Sequence, residues 1–414
     1  MKKLIPQKIK NYYHLAQAIL ANIVYGFPSK RIKIIGVTGT DGKTTTSQMI
    51  SKILEEAGHK VAMATTINFK LGGEEWKNLS HFTTMSSFSV QKFIKRAADN
   101  GCEYLILETS SHSLDQNRVW GVKYRTAVIT NVTREHLDYH KTMDEYRKAK
   151  LKLFERAEVA IVNMDMEDFE QYLQYDNMRK IRYGLEDENA DVAAHNISLH
   201  ENNTDFEIDD VKFKLDLPGN FNVENTLAAV CVGMSENVSL EKCASALKKI
   251  QGIPGRLESV PNDKGVNIIV DFALTPDAVE KLYQFINGTK EVGAKLIAVF
   301  GACGERDRGK RPILGKIASR YADKIVITND EPYSENPNRI IREIASGIEN
   351  KKKDENFWII PDRRQAIRKA LEMAVPGDVV AVTGMGAEES MIMNGHKIPW
   401  NDKKVIQEEL SKLK

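Results

Sequence analysis

The chain has 414 residues, 42% hydrophobic and 28% charged, enough for two or three packed domains of an ordinary globular protein. With 59 basic and 57 acidic side chains the net charge is +2, which excludes the broad cationic footprint of a nucleic-acid binder and leaves anion binding to local sites. Cys102, Cys231, Cys243 and Cys303 show neither C-x-x-C spacing nor a nearby histidine cluster, so they read as reduced thiols in a cytoplasmic protein, not as a zinc site or disulfide framework.

Residues 1–31 form an N-terminal segment that is basic and free of acids, around the stretch Asn11 to Phe27. Tyr12, Leu15, Ile19, Ile23 and Val24 fall on one helical stripe, which predicts a helix docked on the body of the protein through those side chains. A membrane-surface or partner contact through residues 1–30 is the alternative. Asn11, His14, Gln17 and Asn22 interrupt any signal-peptide core, and no apolar run approaches the roughly eighteen residues of a spanning helix.

Next comes an apolar run, Ile32 to Ile35, then Gly36-Val37-Thr38-Gly39-Thr40-Asp41-Gly42-Lys43-Thr44-Thr45-Thr46, then a helical pattern from Ser47 to Ala57. Strand, glycine turn and helix start make a phosphate cradle. The backbone N–H groups of the turn approach phosphate oxygens, the helix N-terminus adds positive potential, Lys43 reaches the terminal phosphates and Thr44 can ligate magnesium. The general G-x-x-x-x-G-K-[ST] pattern needs glycine at position 37, where this chain has Val37, so the loop is a variant.

Strand-like and helical segments then alternate: Val61 to Thr65, a helix near Ser89 to Asn100, Tyr104 to Glu108, and Thr126 to Asn131. Such alternation predicts an α/β domain, a P-loop ATPase-type parallel sheet over 32–252. A β-rich patch, Ala190 to Leu217, precedes a helix at Asn222 to Met234, and Gly252-Ile253-Pro254-Gly255-Arg256 marks the boundary. The alternation resumes with Asn267 to Phe272, Lys295 to Gly301, Lys324 to Thr328 and Asp378 to Gly384, which predicts a C-terminal Rossmann-like α/β domain over 253–414 facing the first across a cleft.

Two strand ends carry chemistry. Glu108 closes the run Tyr104 to Leu107 and puts a carboxylate where a magnesium ligand is needed; Ile129 to His140 puts a histidine and an acid at another. Alone, a Glu at a strand end is usually a solvated or capping residue; the phosphate loop in the same domain favours the metal role for Glu108.

Taken in order, these motifs resemble the Mur ligase family. The loop is similar to the T-G-T-N-G-K-T-T of Mur ligases and folylpolyglutamate synthetases, with Asp41 in place of the usual Asn. E-x-S-S-H-x-L-x-Q-x-R-V from Glu108 to Val119, the H-L-D-Y-H run from His136 to His140, and Tyr146-Arg147-Lys148-Ala149-Lys150 resemble the muramyl-tripeptide ligase branch. The resemblance implies an ATP- and Mg2+-dependent acid–amino-acid ligase, a monomer acting on small molecules in peptidoglycan precursor synthesis. Lys43, Glu108, His136 and Lys150 would be catalytic; Thr44, Glu108, His136 and Lys150, the last as a carbamate, would hold metal.

The resemblance further implies ATP binding by Gly39, Thr40, Asp41, Gly42, Lys43, Thr44, Thr45, Asn225, Arg256, Asp271 and Lys310, and contacts to a UDP-muramyl acceptor by Thr83, Thr84, Ser110, Gln116 and Arg118. Arg306, Asp330, Glu331, Tyr333, Gly384 and Glu388 would form the amino-acid pocket. Departures are concentrated there: Asp330-Glu331-Pro332-Tyr333 replaces the D-N-P-R associated with meso-diaminopimelate, and Gly384-Met385-Gly386-Ala387-Glu388 loses the Lys and His of G-K-G-H-E. Arg is the natural bidentate partner for a distal carboxylate and Tyr333 lacks that charge, so an amino acid with a distal amine, such as lysine or ornithine, facing Glu331 or Glu388 is expected. Residues 1–31 are too few for the uridine-holding domain of such ligases. A weakly held uridine, a partner's site or another carboxylate acceptor, folate-like or amidated, then come into view. A nucleotide-binding scaffold without ligation is a further alternative.

Overall fold

The computed structural model describes residues 6–413 other than Asn177, Glu188 and Asn394. Its first sheet has nine strands in the spatial order Glu74–Lys77, Asn68–Leu71, Val61–Ala64, Tyr104–Glu108, Lys33–Thr38, Thr126–Ile129, Val159–Asn163, Arg179–Gly184 and Val192–Ala193. All pairings are parallel except those of the first two strands, which form a hairpin on the edge. The parallel strands read as unbroken apolar runs because helices cover both faces. One layer packs Met49, Ile50, Ile53 and Leu54 of the helix Lys43–Glu56 with Leu227, Val230 and Cys231 of Asn220–Ser235; the other packs Val90, Phe93 and Ile94 of Ser87–Asp99.

A three-stranded antiparallel sheet, His195–Leu199, Thr204–Ile208 and Val211–Leu215, extends the first core with Phe206 and Phe213 stacked 5.3 Å apart. The second large sheet has six strands in the order Glu258–Ser259, Asn267–Asp271, Val379–Thr383, Leu296–Phe300, Lys324–Ile327 and Phe357–Ile359, parallel but for the first. The two sheets turn the carboxyl ends of their strands to one cleft, where open α/β sheets bind ligands. Val37 pairs with Glu108, Thr38 with Ile129, and Asp271 with Thr383, so residues at these strand ends meet at a common level.

The N-terminal helix Gln7–Tyr25 differs from expectation. It docks, but through Ala18, Ala21 and Asn22, while Tyr12 (73% exposed), Ile19, Ile23 and Val24 of the expected stripe face outward and Leu15 is half-buried. Small residues let the helix backbone lie close to its neighbour, and Asn22 Nδ2 donates to the Trp120 carbonyl at 2.8 Å. Hydrophobic periodicity alone counted the wrong face.

The edge hairpin Asn68–Lys77 and its following loop meet a second hairpin, Ser390–Met393 with His396–Pro399. Lys77 pairs with Glu389, and Lys397 Nζ donates to the Leu79 carbonyl at 2.8 Å. Neither hairpin was legible as an element in the sequence, yet together they tie the two sheets across the cleft.

Candidate active site

The glycines of the phosphate loop are dictated by their surroundings. At Gly39, φ +151°, a Cβ would lie 1.8 Å from Thr130 Oγ1; at Gly42, φ +81°, it would lie 2.2 Å from Asn225 Oδ1. Asn225 thus backs the loop, and Thr46 Oγ1 donates to its Oδ1 at 3.2 Å. Lys43 Nζ donates to the carbonyls of Thr40 (2.7 Å) and Gly39 (3.2 Å), so its ammonium is carried by the loop it serves. The helix begins at Lys43 itself, four residues before the apolar pattern shows it.

Beside the loop, Thr44 Oγ1 donates to Glu108 Oε2 at 3.0 Å, and both residues are buried. Thr66, absent from the sequence reading, grips the same carboxylate: its N–H donates to Oε2 at 2.8 Å and its hydroxyl to Oε1 at 3.0 Å. Only a strand neighbour at register position could have found it, since Val61–Ala64 pairs with Tyr104–Glu108. Hard oxygens of Thr44 and Glu108 suit magnesium.

His136 stands in the left-handed region, φ +58°, as the residue before the short helix Leu137–His140. Its ring lies edge-on to His112 with centroids 4.6 Å apart, and its buried Nδ1 has no partner among the described residues. Burial first, then the neighbouring His112, Lys310, Arg306 and Lys150, hold it well below the usual histidine range. A neutral imidazole with a nitrogen that no hydrogen bond uses has a lone pair free to accept a proton or a cation. Lys150 is buried with its Nζ 4.4 Å over the Tyr146 ring; burial and the charge of Lys43 push its amine well below the usual lysine range. Lys150 is not among the residues that line the cavity described next.

One cavity of ≈ 290 Å³ brings together Thr40, Asp41, Lys43, Thr44, Thr45, Glu108, His136 and Asn225 from the first sheet with Arg256, Asp271, Arg306, Lys310, Asp330, Glu331, Tyr333, Gly384 and Glu388 from the second. Arg256 stacks on Phe272 at 4.5 Å and points Nη2 towards Thr44 Oγ1, 3.5 Å away. Asp271 spends its carboxylate on the N–H groups of Leu257 (2.7 Å) and Ala273 (2.6 Å), so it shapes the turn that carries Arg256. Lys310, expected to approach the ATP phosphate, lines the cavity with its Nζ held 2.9 Å from Glu135, in a buried ion pair across the cleft that no local stretch of sequence indicates.

The expected acceptor residues are assembled but mostly outside that wall. Only Thr83 lines the cavity. Thr84 Oγ1 donates to the Glu108 carbonyl at 2.9 Å, and Arg118 Nη1 donates to the Thr84 carbonyl at 2.6 Å. Ser110 caps the helix Ser111–Asp115, and Gln116 ends it. Arg118 keeps a buried Nε without a partner among the described residues. His81, in the loop before Thr83, was missed altogether. It contacts Glu388 at 3.0 Å and Glu331 at 3.8 Å.

The family described as Mur ligase middle domain matches residues 37–233, and that described as Mur ligase, glutamate ligase domain matches 255–386. A UDP-N-acetylmuramoyl-L-alanyl-D-glutamate–2,6-diaminopimelate ligase of Clostridium botulinum is 39% identical over 408 residues, 96% of this chain and 82% of the relative. The chain belongs to the Mur ligase family. A UDP-N-acetylmuramyl-tripeptide synthetase of Roseiflexus is 37% identical over 96% of this Mur ligase and 82% of its own length.

Among solved structures, a UDP-N-acetylmuramoyl-L-alanyl-D-glutamate–2,6-diaminopimelate ligase is similar at a TM-score of 0.62 and 30% identity, over 92% of this chain and 79% of that one. The folylpolyglutamate synthase of Mycobacterium tuberculosis shares the fold at a TM-score of 0.74 and 16% identity, over 89% and 91% of the two chains. This Mur ligase is an ATP-dependent enzyme that forms carbon–nitrogen bonds. No helix among its described residues is long and apolar enough to cross a membrane.

Proposed function

We propose that this Mur ligase joins a diamino acid to the free carboxylate of UDP-N-acetylmuramoyl-L-alanyl-D-glutamate in cytoplasmic peptidoglycan precursor synthesis, with ATP and magnesium. The observation that carries the reading is the shared cavity: the Lys43–Thr44–Glu108 phosphate side and the Arg306–Glu331–Glu388 side open into one space. The names of the relatives support both acceptor and amino-acid class. The division of the chain at Gly252 to Arg256 into an ATP domain and an amino-acid domain belongs to the same reading.

Magnesium would be held by Thr44 and Glu108, with His136 and a Lys150 carbamate as candidates for a second ion; it supplies charge neutralisation on the phosphates. Lys43 leaves its loop carbonyls for the terminal phosphates. The acceptor carboxylate then attacks the γ-phosphorus and ADP departs, leaving an acyl phosphate. Arg306 orients the incoming amino acid through its α-carboxylate, its α-amine attacks the acyl carbon, and phosphate leaves as the amide forms. Arg256 and Asp271 close the cleft over this chemistry and keep water out.

For the amino acid, the distal ammonium faces Glu331 and Glu388. Tyr333 Oη donates to Glu331 Oε2 at 3.1 Å and so completes an acid pocket in place of an arginine clamp. Lysine and ornithine fit that charge best. Incubation with ATP, the UDP-muramyl dipeptide and a pool of amino acids, read by mass spectrometry, tests the proposal: a product one lysine or ornithine heavier supports it. A preferred diaminopimelate adduct would overturn the amino-acid assignment, and phosphate release without a peptide product would overturn ligation on this acceptor.

A further inference from the structure

Among the described residues, His81 is the side chain of the first domain that ion-pairs with both Glu331 and Glu388. Its Nδ1 lies 3.0 Å from Glu388 Oε2 and 3.8 Å from Glu331 Oε1, and its Nε2 is 2.6 Å from Ser390 Oγ. All three charged side chains are largely shielded, with 13%, 18% and 10% of their side-chain surface exposed for His81, Glu388 and Glu331. Glu331 also accepts from the Ile392 N–H at 3.2 Å and from the Tyr333 hydroxyl. The imidazole therefore has every nitrogen engaged with the second domain, although its backbone belongs to the acceptor loop.

That loop continues directly into the phosphate site. Two residues on, Thr83 Oγ1 lies 3.1 Å from Thr66 Oγ1, and Thr66 holds both oxygens of Glu108 through its N–H and its hydroxyl. Asn78 Nδ2 pins the loop from below through the carbonyls of Thr65 (2.9 Å) and Phe82 (3.0 Å). Through the two-residue step of the chain from His81 to Thr83, the acid pair of the amino-acid pocket is thus linked to the Glu108 carboxylate.

Charge counting gives the path a purpose. Two shielded carboxylates need two positive charges, since an unpaired buried charge is costly. His81 supplies one; the second place is open to a proton or to a substrate cation. Other charged or titratable groups around the pair are Asp330 and Tyr333 beside Glu331, Arg306 over the Tyr333 ring, Arg256 towards Glu388, and Lys397 behind His81. Lys77 and Lys404 are taken by Glu389.

We propose that His81 is a positioning and specificity residue of the ligation: its imidazolium fills one of the two cation places at Glu331 and Glu388 and reserves the other for the distal ammonium of the incoming amino acid. The inference rests on the reading above that the acid pair receives this ammonium. Hydrogen bonding to Glu388 holds His81 above the usual histidine range, while burial and Asp330 raise Glu331 to about 7, against the lowering influence of His81. Below that pH a proton occupies the second place; above it the substrate ammonium does.

The test is the KM for L-lysine, L-ornithine and meso-diaminopimelate between pH 6 and 9 in the wild type, His81→Gln and His81→Lys. In the wild type the amino-acid KM falls as pH rises through about 7. His81→Gln removes the positive neighbour, so Glu331 keeps its proton to higher pH and the inflection moves up by about one unit, a tenfold rise in KM near neutrality. His81→Lys restores the wild-type inflection. A raised KM with an unmoved inflection in His81→Gln, or no change at all, would overturn the role of His81. Glu331→Gln and Glu388→Gln separate the underlying reading: if neither alters the amino-acid KM, the acid pair does not bind the ammonium and both proposals fail.

Discussion

Asp41 Oδ2, on the phosphate loop, accepts a 2.9 Å hydrogen bond from Thr275 Oγ1, the residue that caps the helix Pro276–Thr289 of the second domain. The loop residue that departs from the family pattern is therefore also one of the points where the ATP side touches the amino-acid side. Burial raises the Asp41 carboxyl above its usual range, with Lys43 and the Thr275 hydroxyl working against that rise.

Rising pH ionises Asp41 and adds a negative charge to the wall that receives the triphosphate. The KM for ATP should rise with pH through that titration. Asp41→Asn keeps an acceptor for Thr275 without the charge, so its ATP KM should be flat with pH and about tenfold lower at the alkaline end, equivalent to ~1.4 kcal/mol. Steady-state kinetics at saturating amino acid and acceptor reads this directly.

Gly42→Ala places a methyl group 2.2 Å from Asn225 Oδ1 at φ +81°. Backbone strain of ~1–3 kcal/mol, added to that clash, should open the loop. Calorimetry should show a lowered Tm, and titration with an ATP analogue should show binding lost while the second domain keeps its own unfolding transition.

The buried, neutral amine of Lys150 is the form that adds carbon dioxide to give a carbamate. Protein equilibrated with 13C-bicarbonate should give a carbamate carbon signal that is absent in Lys150→Arg. The variant should lose about 100-fold in kcat, the scale on which metal-site residues act. A full-length circular dichroism spectrum should remain unchanged.

Lys310 and Glu135 form a buried pair with 2% and 4% of their side-chain surface exposed. Lys310→Met strands the Glu135 carboxylate, whose range burial already raises, and should cost ~3–5 kcal/mol in urea unfolding. The double variant with Glu135→Leu should recover most of that loss, because the cost lies in the unpaired charge.

Ala18 and Ala21 are fully buried on the N-terminal helix, whereas Ile23 is 60% exposed. Ala18→Leu or Ala21→Leu should destabilise by ~1–3 kcal/mol through overpacking. Ile23→Ser should stay within about 0.5 kcal/mol of the wild type. The reverse order of effects would restore the stripe that hydrophobic periodicity suggested.

What the chain determined by itself was local. The phosphate loop, the strand that ends in Glu108 and the alternation of strands and helices are each written in consecutive residues, where glycine geometry, apolar runs and caps act over a few positions. The tertiary structure decided the rest. Glu135 meets Lys310 across 175 residues and His81 meets Ser390 across 309, and nothing in either local stretch specifies such partners. The N-terminal helix shows the same limit from the other side: its most apolar stripe was plain, but close packing selected the face whose alanines and Asn22 fit the neighbouring backbone. Burial then set the protonation of His136, Lys150 and Glu331, because the cost of a charge depends on what surrounds it and not on which residue carries it.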